Sequence, residues 1–172
     1  MIAVRWYWLG LIACLSLLGI AYFYFQRQLG LPPCPLCMFQ RAALVGIAGV
    51  CLVGIMLRPK VFGSKVLALL GSLFAALGGA IAGRQVWLQN LPADQVPACG
   101  PDLEFMLDAF PLMQVIETVL LGSGECADIQ WQLLGLSMPA WMVGIFTVMF
   151  LLCVRLLLIR ERRYFNKPYV GE

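Results

Sequence analysis

The sequence predicts an all-α membrane protein, a bundle of four transmembrane helices joined by one short and one long outer loop. Three observations predict it. Hydrophobic residues make up 62% of the 172 residues and charged residues only 12%, about half the ~25% of soluble domains. The apolar residues gather into four blocks of near-spanning length. The basic residues sit at alternate ends of those blocks. A net charge of +3 with no basic patch interleaved with aromatics gives no sign of nucleic-acid binding. The chain lacks histidine, the commonest metal ligand and general base.

The first block, Tyr7 to Phe25, carries no charge. Aromatic bulk at Tyr22, Phe23, Tyr24 and Phe25 stands where a signal peptide would need small residues, so it is expected to stay as the first span. The second block runs from Ala42 to Leu57 and the third from Val66 to Ala82. Both reach spanning length when Cys37 to Phe39 and Gly83 to Leu88 extend them. The fourth, Ala140 to Ile159, is broken only by Arg155. The expected spans are therefore residues 7–26, 38–57, 66–88 and 140–159, with outer loops at 27–37 and 89–139, in a single domain.

Arg5 precedes the first span, Arg58, Lys60 and Lys65 fill the link between the second and third, and Arg160, Arg162, Arg163 and Lys167 follow the fourth. The positive-inside rule assigns these segments, and both termini, to the cytoplasm. The stretch from Gln89 to Met138 has no Lys or Arg and holds seven of the nine acidic residues. A loop that long usually carries function or structure. Within it, Leu103 to Leu121 reads either as a short amphipathic helix on the membrane surface, interrupted at Pro111, or as a loop collapsed on its own small core.

Seven cysteines are present. Cys14, Cys51 and Cys153 lie inside apolar spans and read as small buried hydrophobes. Cys34, Cys37, Cys99 and Cys126 fall in the two outer loops, on the side where disulfides persist. A Cys34–Cys37 bridge would restrict the unfolded chain by only about 2 kcal/mol, against about 3.6 kcal/mol for Cys99–Cys126, so it is a poor staple and a usable redox switch. Pro35 suits the first turn of a helix, and Cys34 then sits at the N-cap, where backbone N–H groups and the dipole stabilise a thiolate. The 26-residue gap between Cys99 and Cys126, with no histidine, departs from zinc-site spacing, so no metal is expected. For Cys99 and Cys126 two readings stand: a structural disulfide, or a relay between a soluble partner and the Cys34–Cys37 pair. Pro97 and Pro101, with Gly122, Ser123 and Gly124, give this second pair the irregular flanks a relay requires. Arg41, four residues after Cys37, shares its helix face. It either snorkels to lipid headgroups or supplies a cation to a thiolate or to a developing oxyanion. Arg27 and Arg84 should lie at similar depth.

Taken together, Cys34-Pro35-Leu36-Cys37-Met38-Phe39-Gln40-Arg41 and Gly124-Glu125-Cys126-Ala127, followed by Trp131 and Leu134-Gly135-Leu136, resemble the disulfide bond formation protein B (DsbB) family of bacterial inner-membrane thiol–quinone oxidoreductases. The resemblance covers nearly the whole chain. It implies a multi-pass protein of the bacterial inner membrane that reoxidises a periplasmic thioredoxin-fold (DsbA-like) dithiol oxidase and reduces the membrane quinone pool, ubiquinone or menaquinone. It implies that Cys99 is attacked by the partner and that Cys126 passes electrons inward. Cys34 and Cys37 would lie beside the quinone, with Cys37 in thiolate–quinone contact, and Arg41 would touch the quinone. Family members carry a histidine at the outer end of the third helix; here Arg84 or Gln85 occupies that region. A vitamin K epoxide reductase-like enzyme shares the architecture but carries its inner Cys-x-x-Cys late in the bundle. A scaffold with two structural disulfides would pass no electrons. A transporter would place polar residues in the spans, and the first two offer almost none.

Overall fold

The computed structural model describes residues 2–31, 33–92, 108, 110–111, 113–114 and 124–158. Four long helices, each apolar and long enough to cross a bilayer, make up the bundle. Helix α1 (Ile2–Gly19) continues without a break into a π-helical segment, Ile20–Gln28. Then come α2 (Pro35–Leu57), α3 (Val61–Gln89), a one-turn α4 (Gly124–Ala127), a two-stranded hairpin of β1 (Gln132–Leu133) and β2 (Leu136–Ser137), and α5 (Met138–Leu158). The helices run beyond the hydropathic blocks at most of their ends. Polar and small residues near those ends dilute hydropathy without breaking the helical hydrogen-bond ladder.

Local chemistry sets the ends. Cys34 is the N-cap of α2 with extended backbone, Pro35 occupies the first helical position, and the Cys37 backbone N–H donates to Cys34 Sγ at 3.3 Å. At the other end Arg58 caps α2 in the left-handed region (φ 42°), its N–H donating to the Gly54 carbonyl at 3.2 Å, and Pro59 follows. The hairpin turns through Leu134 (φ 55°) and Gly135 (φ 78°), and pairs Gln132 with Ser137. Trp141 Nε1 donates to the Leu133 carbonyl at 3.3 Å and ties the hairpin to α5.

Packing follows small residues, as expected where lipid supplies no hydrophobic drive between helices. The buried face of α3 reads Ala68, Gly71, Ser72, Ala75, Gly78, Ala82 and Gln85. Phe146 of α5 is fully buried against it, and a Cβ on Gly78 would overlap the Phe146 ring. Gly54 of α2 likewise admits the Tyr7 ring, from which an added Cβ would lie 2.8 Å, and Tyr7 Oη pairs with Ser64 Oγ at 2.9 Å. The most extensive contacts are α3 on α5, then α2 on α3, then α1 on α2. Among the described residues α1 and α5 barely touch, which leaves a cleft between them.

Cys14, Cys51 and Cys153 all lie within the spans, the first two buried and the third half-buried. The amphipathic stretch expected over Leu103 to Leu121 falls mostly outside the described residues, as does the C-terminal tail.

Candidate active site

The Cys-x-x-Cys pair sits where α2 begins, at the end of the bundle that also carries α4 and the hairpin. Cys34 Sγ donates to Cys37 Sγ across 2.7 Å, so the sulfurs can join with almost no backbone movement. Gln85, on the buried face of α3, reaches both. Its Nε2 donates to Cys34 Sγ at 3.3 Å and to Cys37 Sγ at 3.4 Å. Gln40, one turn below Cys37 on α2, donates its own Nε2 to Gln85 Oε1 at 2.8 Å. That bond fixes the orientation of the Gln85 amide and turns its NH₂ group towards the sulfurs. Both glutamines are 4% exposed. Two amides so deep in an apolar bundle are costly unless paired, and here they pair with each other and with the thiols.

Cys126 enters from the other side. It is fully buried in a cluster with Cys34, Leu36 and Leu88, with Cys37 and Phe39 packed alongside. Its thiol hydrogen-bonds to Cys34. Three of the four outer-loop cysteines thus form one chain of sulfurs, Cys126–Cys34–Cys37. The fourth, Cys99, lies outside the described residues. The Cys34 thiol holds its proton well above the usual thiol range, first because it hydrogen-bonds to Cys126, then because it bonds to Cys37, then because it is buried. The N-cap position expected for Cys34 is present, but the two sulfurs and the burial outweigh the single backbone N–H that the cap contributes. Both sulfurs accept from N–H groups, Cys34 Sγ from Gln85 and the Cys37 backbone and Cys37 Sγ from Gln85, but only Cys37 Sγ also receives an S–H, that of the proton-holding Cys34. That arrangement favours negative charge on the Cys37 sulfur.

Arg41 points towards α1. Its Nη1 donates to Gln26 Oε1 at 3.0 Å and its Nη2 to the Ala21 carbonyl at 3.1 Å. Both acceptors belong to the π-helical segment, whose widened turn has no signal in the sequence. The remaining donors of the guanidinium fork are left for whatever lies beside it. Arg84 is placed differently: it stacks over Trp87 at 4.2 Å and lines neither of the cavities at Cys37. Arg27 likewise turns outward, onto Tyr22. Of the two residues expected in the histidine position, the structure brings Gln85 to the sulfurs and leaves Arg84 outside. Sequence reasoning missed Gln40 and Gln26. Gln40 could have been found, since it is a polar residue on the face of α2 that Leu44, Ile47 and Cys51 bury.

Two cavities meet at Cys37. An outer one of about 50 Å³ is lined by Cys34, Cys37, Arg41 and Gln85, with Gln89, Asp128 and Gln130 at its polar end. A second, of about 270 Å³, shares Cys37, Arg41 and Gln85 but opens between Ile20, Ala21, Met142 and Ile145. It continues through Leu17, Trp141 and Ile145 into an apolar space of about 810 Å³ between α1 and α5. The Phe25 and Trp131 rings, edge to face at 5.0 Å, line both cavities at Cys37. The Cys37 sulfur therefore stands between a polar opening and a lipid-facing one.

Comparison with known proteins agrees with this architecture. The family model of disulfide bond formation protein DsbB matches residues 4–156. Proteins named disulfide bond formation protein B are similar over most of the chain. The one from Nitrosococcus oceani is 54% identical over 141 residues, 81% of this chain and 83% of that protein. The one from Marinobacter nauticus is 44% identical over 167 residues, 96% of this chain and 97% of that protein. The one from Hahella chejuensis is 52% identical over 135 residues, covering 78% and 81%. With four apolar spanning helices and a match over nearly its whole length, the chain belongs to the DsbB family of disulfide bond formation proteins.

Proposed function

We propose that this protein is a dithiol:quinone oxidoreductase of the bacterial inner membrane. It reoxidises a periplasmic DsbA-like dithiol oxidase and passes the electrons to membrane quinone, ubiquinone or menaquinone. The observation that carries this reading is the place of Cys37. Its sulfur is linked through Cys34 to Cys126 on one side and opens on a lipid-facing cavity on the other. The excess of Lys and Arg at the opposite end of the bundle supports cytoplasmic termini and a cysteine end that faces the periplasm.

The residues present suit a quinone. The lipid-facing cavity, about 270 Å³, is close to the lower bound of ordinary ligand pockets, about 300–1,000 Å³, and its apolar continuation of about 810 Å³ falls within that range. The Arg41 donors not used by Gln26 and Ala21 would face a carbonyl oxygen in that cavity. When bound, quinone supplies a two-electron, two-proton acceptor. The chain does the rest. A partner thiolate attacks the Cys99–Cys126 disulfide at Cys99, and Cys126 leaves as a thiolate. Cys126 then attacks Cys34 Sγ of the Cys34–Cys37 disulfide, and Cys37 is released as the leaving thiolate. Gln85, held by Gln40, steadies the charge on Cys37. Arg41, tied to α1 by Gln26 and Ala21, closes the cavity wall opposite.

The test is quinone reduction by the purified protein in a bilayer, with a reduced thioredoxin-fold dithiol as donor. Cys37→Ser should abolish it. Continued turnover in that variant would refute the route.

A further inference from the structure

The outer cavity has no role in the electron path. It is small, with room for about two or three ordered waters, and three polar side chains, Gln89, Asp128 and Gln130, line it beside Cys37 and Arg41. Among the described residues, Gln89 Oε1 is buried and has no hydrogen-bond partner. A buried acceptor without a donor is uncommon and is satisfied by water when a polar cavity adjoins it. Among the described residues lining the two cavities at Cys37, Asp128 is the only carboxylate. Its side chain is exposed, so it also meets the aqueous phase.

Proton balance gives this arrangement a purpose. When the Cys34–Cys37 disulfide forms from the dithiol, two S–H bonds break, one S–S bond forms, and two electrons and two protons are released. Both electrons pass to quinone, and two O–H bonds form on its oxygens. The electrons need only contact, but the protons need carriers. The Gln40 and Gln85 amides beside the sulfurs do not titrate, and the chain has no histidine.

We propose that the outer cavity is a water-filled proton inlet, in which Gln89 Oε1 anchors a water and Asp128 exchanges protons between that water and the aqueous phase. Asp128 accepts the proton that leaves the sulfurs, and the same water file delivers protons to the quinone oxygen nearest Arg41. The inlet rests on the quinone reading above, and it adds a residue and a path that the sulfur relay does not contain.

Full-length protein in lipid nanodiscs tests it with two variants, Asp128→Asn and Gln89→Leu. Without quinone, hydroxyl-radical labelling in ¹⁸O water should mark Met138, which lines the cavity, in wild type and in Asp128→Asn but not in Gln89→Leu. With the Cys34–Cys37 pair pre-reduced, oxidation by a short-chain benzoquinone should slow about tenfold in Asp128→Asn, and formate should restore it. The loss is smaller than the usual 10²–10⁴ for a general acid–base group because bulk water reaches the mouth of the cavity. Exchange of the Cys34–Cys37 disulfide with a soluble dithiol should be unchanged. A wild-type rate in Asp128→Asn, a slowed rate that formate does not restore, or an unlabelled Met138 in wild type would overturn the inlet. A wild-type protein that reduces no quinone would remove the oxidoreductase reading itself, a failure told apart because wild type and variants then behave alike.

Discussion

Replacing Gln85 by leucine probes the site most sharply, because one side chain serves both sulfurs. The substitution deletes the N–H donor at 3.3 Å from Cys34 Sγ and 3.4 Å from Cys37 Sγ. It also strands the Gln40 amide, whose partner at 2.8 Å is Gln85 Oε1. A hydrogen bond to a charged group contributes about 1.5–3 kcal/mol. Losing that support for the reduced pair should shift its reduction potential downward by about 30–65 mV, since about 30 mV corresponds to 1.4 kcal/mol for two electrons. The stranded Gln40 should separately lower stability by about 1–3 kcal/mol. The double variant Gln40→Leu with Gln85→Leu removes the stranded group and should recover most of that stability without recovering the potential. A glutathione titration of the Cys34–Cys37 pair reads the first effect, and thermal unfolding in detergent reads the second. An unchanged potential in Gln85→Leu would mean that the amide does not support the reduced sulfurs.

Other expectations follow from the same geometry. Arg41→Gln should raise the apparent KM for quinone more than it lowers the rate of disulfide exchange, and Arg41→Lys should not restore it, because an ammonium cannot hold Gln26 and Ala21 with one planar fork. An unchanged KM in steady-state assays would remove Arg41 from the acceptor site. Near the ordinary thiol value of about 8.5, reduced Cys34 should alkylate more slowly than a free thiol. Its raised pKa keeps the proton on and the thiolate fraction low, and Cys126→Ala, which removes the largest cause, should speed the reaction. Gly78→Ala should cost about 1–3 kcal/mol by forcing a methyl into the Phe146 ring. Gly83→Ala, which meets nothing within 4 Å, should not destabilise; equal effects on the unfolding temperature would show that the α3–α5 seam yields.

Much of this structure was legible because the governing forces are local. Four apolar blocks with a charge asymmetry leave a bundle as the economical solution in lipid, and Pro35 after Cys34 marks a helix start. The arrangement of the site was less legible because it depends on which faces meet. Arg84 and Gln85 are adjacent in sequence, yet the helical turn sends one onto Trp87 and the other onto the sulfurs. The N-cap of its own helix favours a thiolate at Cys34, but the Cys126 thiol, 92 residues further along the chain, holds the proton on it. The π-helical turn that presents the Ala21 carbonyl to Arg41 is composed of residues with no helical irregularity in their pattern. The Leu133–Leu136 hairpin was hidden by a leucine in a left-handed turn position, where asparagine or glycine is the usual signal.

The sulfur chain from Cys126 through Cys34 to the lipid-facing Cys37 can be tested by trapping. When wild-type protein with both disulfides formed meets a reduced thioredoxin-fold partner that keeps only its attacking cysteine, peptide mapping by mass spectrometry should find the partner joined to Cys99, Cys34 joined to Cys126, and Cys37 a free thiol. The partner joined to Cys99 with Cys126 a free thiol and Cys34 still paired with Cys37 would contradict the route.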